Sequence, residues 1–168
     1  HVFCEKPVCL NEAELADVVA ATARVRSWLD TTALRGARRG RHLAESGRAE
    51  PASSLLARNG NRSTRDASQS ERRDKVAEAM PAFEDGLGDG RVSAGHLDAI
   101  AATTRAAPSE VRAAFAAHEH ELLDFAVGES VEGFTRRCRA LITELTTEFT
   151  GNDASELDRL RAASTIRR

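Results

Sequence analysis

Tyrosine is absent from this 168-residue sequence, tryptophan occurs once, and aromatic residues make up only 4%. A core must therefore be assembled from Ala, Leu, Val and the six Phe. Proline occurs four times. An Ala-rich, Pro-poor chain favours helices, because Ala loses no side-chain entropy on entering one. No run approaches the roughly 18 uninterrupted apolar residues of a membrane span. Residues 1–10 lack the basic-then-apolar order of a signal peptide. The three cysteines, Cys4, Cys9 and Cys138, are an odd number without a disulfide-framework spacing, which points to a reducing cytoplasm. No period-two strand pattern, fixed-length repeat, glycine-rich phosphate loop or Ser-His-Asp signature is visible.

What is present is helical periodicity broken by glycine and proline. Asn11 and Glu14 have capping-box spacing, flanked by Leu10 and Leu15 as a staple. Leu15, Val18, Val19, Val25, Trp28 and Leu29 then recur at helical intervals, predicting one long helix over about 12–46 that ends near Gly47. Gly36 and Gly40, one turn apart, allow either a close helix contact or a bend. A short helix over 52–58 ends at Asn59-Gly60. Ser63, with Asp66 three residues on, caps a longer one over about 64–80. Pro81 starts a short turn bearing Phe83 and Leu87. Ser93 caps a further helix, and Pro108-Ser109 opens another, with Val111, Phe115, Leu122 and Phe125 on one face. Val131, Phe134, Cys138, Leu141, Ile142, Leu145 and Phe149 form the cleanest stripe, predicted to stop at Gly151. Asn152-Asp153 then cap a last helix carrying Leu157, Leu160 and Ile166.

Charge is unevenly distributed. Between Arg24 and Lys75 there are 13 basic and 6 acidic residues; between Val76 and Thr135 there are 3 and 11. A near-neutral total thus hides a basic half and an acidic half. Within the basic half, residues 51–80 read as a helix-turn-helix, whose second helix enters the major groove led by its N-terminal residues. Arg62, Ser63, Thr64, Arg65, Gln69, Arg72 and Arg73 are the candidate contacts to base edges and phosphates. An ordinary helical hairpin with a solvated basic face fits the same pattern.

Other chemistry finds too few partners. Cys4 and Cys9 lack a second ligand pair for zinc. His118 and His120 sit two apart on a helix and point to different faces. Glu84, Asp85 and Asp89 are too few for a calcium loop. Cys138, inside an apolar stripe, reads as a buried structural thiol. His96 reads as a packing or capping residue. No catalytic residue, metal site or cofactor is assigned.

Two resemblances follow from particular strings. His1-Val2-Phe3-Cys4-Glu5-Lys6-Pro7 is similar to the Glu-Lys-Pro segment of Gfo/Idh/MocA oxidoreductases, in which the equivalent of Lys6 lies at the cofactor site. It spans some 20 residues, and the G-x-G-x-x-G unit and αβ pattern are missing, so the likeness is incidental. From about Val25 onward the chain resembles the actinobacterial 13E12 repeat family. The strings are Ala23 to Asp30, Ser53 to Arg58, Arg62 to Ala67, Ala79 to Phe83, Gly90 to His96 and Glu132 to Arg139. Gly90 to His96 is also similar to a short element of ParB-type DNA-binding proteins. The family resemblance implies a domain of unknown function placed ahead of an HNH endonuclease domain. Residues 1–10 then form an unstructured or non-native leader, and residues 11–168 a helical domain truncated before the nuclease.

The expected fold is all-α, with about seven helices and a long N-terminal helix packed on a bundle that contains the helix-turn-helix-like unit. The expected function is a cytoplasmic, non-catalytic accessory domain that associates with double-stranded DNA and with the missing nuclease domain. The alternative is a helical interaction or homo-oligomerisation module, its basic and acidic halves meeting within or between chains. The remote alternative is a fragment of an NAD(P)-dependent oxidoreductase.

Overall fold

Asn11 opens the first helix as its spacing predicts. Its side chain accepts the Glu14 N–H at 2.9 Å, and the Glu14 carboxylate accepts the Asn11 N–H at 3.1 Å. The computed structural model describes residues 11–165, with side chains for 11–150. Cys4, Lys6, Cys9 and Ile166, and the side chains of Leu157 and Leu160, lie outside the described residues.

Eight helices and no strand form among the described residues: α1 (Glu12–Glu45), α2 (Ala52–Asn59), α3 (Thr64–Ala79), α4 (Pro81–Gly88), α5 (Ala94–Thr104), α6 (Ser109–Ala117), α7 (Glu119–Ala126) and α8 (Val131–Thr165). The fold is all-α. The α3 helix is central, packed by α1, α2, α4 and α5, while α5 and α6 lie on α8. Phe83, Phe115, Phe134, Leu34, Met80, Leu87, Leu97, Ile100 and Leu122 form the fully buried centre. The rings of Phe83 and Phe134 lie 5.8 Å apart, and the His96 ring lies 5.2 Å from Phe134, edge-on. The stripe on α8 is core from Phe134 to Leu145, where Phe134, Cys138, Leu141 and Leu145 are all buried, whereas Phe149, expected on the same stripe, is exposed.

Three expectations are corrected. First, α1 packs on the bundle only through its second half. Its buried residues are Ser27, Thr31, Leu34, Ala37 and Gly40, whereas every residue from Asn11 to Arg26 is exposed. Leu15, Val18, Val19, Val25, Trp28 and Leu29 lie off the buried face. Small and hydroxylated side chains mark the packed face because it sits close against neighbouring helices. A Cβ on Gly40 would stand 3.2 Å from that of Ala52, while one on Gly36 would meet nothing within 4 Å. Only the second glycine serves a close approach.

Second, the helix expected after Pro108 divides at His118. The Glu119 carboxylate there accepts the Ala82 N–H at 2.5 Å, satisfying a free donor at the start of α4. Phe125, expected on the buried face, is exposed beyond this break. Third, α8 continues through Gly151 to Thr165. A single glycine costs a helix only about 1 kcal/mol and does not by itself end one.

Candidate nucleic-acid interface

The turn between α2 and α3 is four residues, Gly60 to Ser63. Asn61 takes a left-handed φ of 48°, a conformation Asn tolerates better than most residues. Ser63 caps α3: its Oγ accepts the Asp66 N–H at 3.1 Å and donates to the Asp66 carboxylate at 2.7 Å. Arg62 is half-buried, and its Nη2 donates to the Asp66 carbonyl at 3.3 Å. Thr64, Arg65 and Arg72 are exposed.

Gln69 and Arg73 turn instead toward α5. Gln69 donates to Asp98 Oδ2 at 2.7 Å, and Arg73 donates to both Asp98 oxygens, at 2.8 and 2.5 Å. Asp30 of α1 stands 3.9 Å from Arg73 on another side. Burial opposes the Arg73 charge, but the Asp98 carboxylate holds its pKa above the ordinary arginine value. These two side chains, both expected among the DNA contacts, are thus engaged with Asp98 and brace α3 against α5. A bidentate guanidinium–carboxylate pair keeps Arg73 inside the fold.

The strip left on the outer face of α3 is Arg65, Arg72 and Lys75, spaced i, i+7 and i+10 and spanning about 15 Å of helix axis. All three are exposed. Arg105, at the end of α5, faces the same groove. That groove, of about 420 Å³, is lined by Arg65, Gln69, Arg72, Asp98, Ala101, Ala102 and Arg105. Sequence reasoning missed Arg105 because it lies 33 residues from Arg72 in the chain, in a stretch that reads as acidic. Only the docking of α5 on α3 unites them.

Many other basic residues are spent inside the fold. Asp74 is fully buried on α3 and accepts from Arg38 Nε and Arg41 Nη2, each at 2.8 Å. Arg38 also donates to Glu84 at 2.6 Å, joined there by Arg35 at 3.1 Å, and Arg41 meets Glu78 at 2.5 Å. Hydrogen bonds donated to Glu84 and Asp74 raise the pKa values of Arg38 and Arg41 respectively. Burial works against the Glu84 charge, yet Arg38 and Arg35 hold its pKa below the usual carboxylate value. The basic and acidic segments thus meet within the chain.

Two further groups, His96 and Cys138, are buried in the fold. His96 is buried, and its Nδ1 accepts the Ser93 N–H at 3.1 Å. It completes a capping box in which His stands where Glu or Gln is usual. Gly90 precedes it with a φ of +74°, a conformation glycine adopts without steric cost. The Gly90 to His96 string is therefore a turn and a helix start. Burial pushes the Cys138 thiol up to about 12, so it remains protonated and unreactive at neutral pH. Among the described residues, no three His, Cys, Asp or Glu side chains gather to hold a metal ion, no strand supplies a dinucleotide-binding sheet, and no helix is long and apolar enough to cross a membrane. In comparison with known proteins, no family model, no curated protein and no solved structure matches this chain.

Proposed function

We propose that the chain is a non-catalytic, DNA-associated helical domain that binds duplex phosphates through Arg65, Arg72, Lys75 and Arg105. The observation that carries this reading is the exposed cationic strip on α3, held at a fixed angle to α5 by the Gln69–Asp98–Arg73 contacts. The α2–turn–α3 order supports it, since the exposed N-terminal end of α3 is the end that leads a recognition helix into the major groove. The 13E12-like strings extend the reading. They suggest an accessory role beside an HNH nuclease domain in a longer protein, where any cleavage chemistry would reside.

Salt titration of duplex binding tests it. Wild type should bind at about 50 mM salt and weaken steeply as salt rises, because each neutralised phosphate releases a counterion. Arg65→Ala, Arg72→Ala and Arg105→Ala together should lower the log–log salt slope by roughly three units, near 0.9 for each contact. Arg139→Ala, on the exposed side of α8, should leave the slope unchanged. Equal binding by wild type and triple variant, or no wild-type binding at low salt, would refute the assignment.

A further inference from the structure

The first half of α1 carries an apolar stripe that no described residue buries. Leu15, Val18, Thr22, Val25 and Leu29 follow one another at intervals of three, four, three and four, the heptad spacing of a helix that packs lengthwise on another helix. Leu15, Val18, Val25 and Leu29 remain 52%, 49%, 59% and 54% exposed. The bundle contacts α1 through Ser27, Thr31, Leu34, Ala37 and Gly40, and a groove of about 520 Å³ separates Val18, Val19, Thr22 and Arg26 from Gly90 to Ser93 and Glu129. At about 100° per residue, the stripe is centred roughly 120° around the helix from that face. Among the described residues the outer side of the stripe is therefore open to a second helix, while Val18, Thr22 and the edge through Val19 and Arg26 border the groove toward the bundle.

The charges beside the stripe select the occupant. Glu12 and Arg26 lie along the same edge, two heptads apart, with Val19 midway between them. When two copies of α1 run antiparallel with Val18 opposite Thr22, Leu15 falls opposite Val25. The same register brings Glu12 of each copy to Arg26 of the other and Val19 to its own counterpart across the twofold axis. A parallel pairing sets no acid against a base along these edges. Signs that alternate along the helix, with Glu12, Glu14 and Asp17 before Arg24 and Arg26, also suit an anionic membrane surface poorly.

We propose that this segment of α1 forms an antiparallel, twofold-symmetric contact with a second copy of the chain. The segment is self-complementary in its apolar spacing and its charge order, as an isologous interface requires. It covers about 27 Å of helix, from Glu12 to Leu29, and lies apart from the α3 strip, so it does not depend on the DNA reading.

Trp28 provides a native probe. It is the only tryptophan, it is 63% exposed, and it lies on the edge that faces Glu14 of the second copy. Sedimentation and Trp28 emission should show a dimer at about 200 μM, a concentration at which a micromolar pair is almost fully formed. Dilution should return monomer and a red-shifted spectrum. Val19→Arg places two like charges on the twofold axis and should raise the dissociation constant on the order of 100-fold or more with helicity unchanged. Glu12→Arg and Arg26→Glu should each weaken the dimer, and the two together should restore it. Wild type that stays monomeric at that concentration overturns the proposal and leaves the stripe to a different partner. So does a dimer that survives Val19→Arg, or a double charge swap that fails to rescue.

Discussion

Replacing Asp74 with alanine should be among the most damaging single changes to the fold. The side chain is fully buried and accepts two guanidinium donors at 2.8 Å, from Arg38 and Arg41. Removing one partner of a buried ion pair costs about 3–5 kcal/mol when the remaining charge stays out of water. Here the orphaned side chains are 28% and 22% exposed, and they keep Glu84 and Glu78 as partners. Part of the cost is therefore recovered, and the loss should be about 2–3 kcal/mol. With a urea slope of about 1–3 kcal/mol per M, the unfolding midpoint followed by helical circular dichroism should fall by roughly 1–2 M. Asp74→Asn should do little better, because its amide NH2 would face a guanidinium donor. The same measurement on Arg38→Met, alone and combined with Asp74→Ala, should give a coupling energy of about 0.5–3 kcal/mol. A midpoint shift equivalent to less than about 0.5 kcal/mol, with no coupling, would show that the network adds nothing beyond solvated surface pairs.

Phe134→Ala should cost about 3–5 kcal/mol, because the ring is fully buried against Phe83 and His96; Phe134→Leu, measured in the same urea titration, should lose clearly less. Acid should also weaken the fold. Burial lowers the His96 pKa, so the stability tied to its neutral ring is complete above about pH 6.5 and is lost as pH falls through the lower folded-state value. The lowered Glu84 pKa acts in the same direction below about pH 4.5. His96→Gln retains an acceptor for the Ser93 N–H, so it should flatten the upper part of the pH–stability profile; an unchanged profile would clear His96 of that role.

Helix starts were legible in the sequence because they are local. The Asn11–Glu14 box, the Ser63–Asp66 cap and Pro81 at the first turn of α4 each involve residues three apart or fewer. The α8 stripe was legible too, since Phe134, Cys138, Leu141 and Leu145 repeat on one face of a helix flanked by partners. The same reasoning misplaced the stripe on α1. Periodicity identifies an apolar face but not whether the chain itself supplies its cover, and here Ser27, Thr31 and Gly40 take the packed side. The candidate site was half legible. Arg65 and Arg72 share a face by spacing alone, but Asp98, which engages Gln69 and Arg73, lies 25 residues beyond Arg73. Only tertiary packing decides which arginines are braces.

That division bears on how a basic segment should be read. The 13 cations between Arg24 and Lys75 suggest a broad phosphate-binding surface, yet Arg35, Arg38, Arg41, Arg58 and Arg73 are each paired with a carboxylate. A paired arginine can meet a phosphate only by leaving its partner. Where that partner is buried, as Asp74 is, the exchange would leave the carboxylate with one guanidinium in place of two. The field available to a polyanion is consequently set by the remaining cations, of which Arg65, Arg72 and Lys75 on α3 and Arg105 at the end of α5 lie together. Binding through them should have a modest salt slope confined to one side of the molecule. The braces remain necessary all the same. Arg65 and Arg72 project from a helix whose position is fixed by Arg73 on Asp98 and by Asp74 beneath Arg38 and Arg41, so loss of a brace would disperse the strip without removing any of its charge.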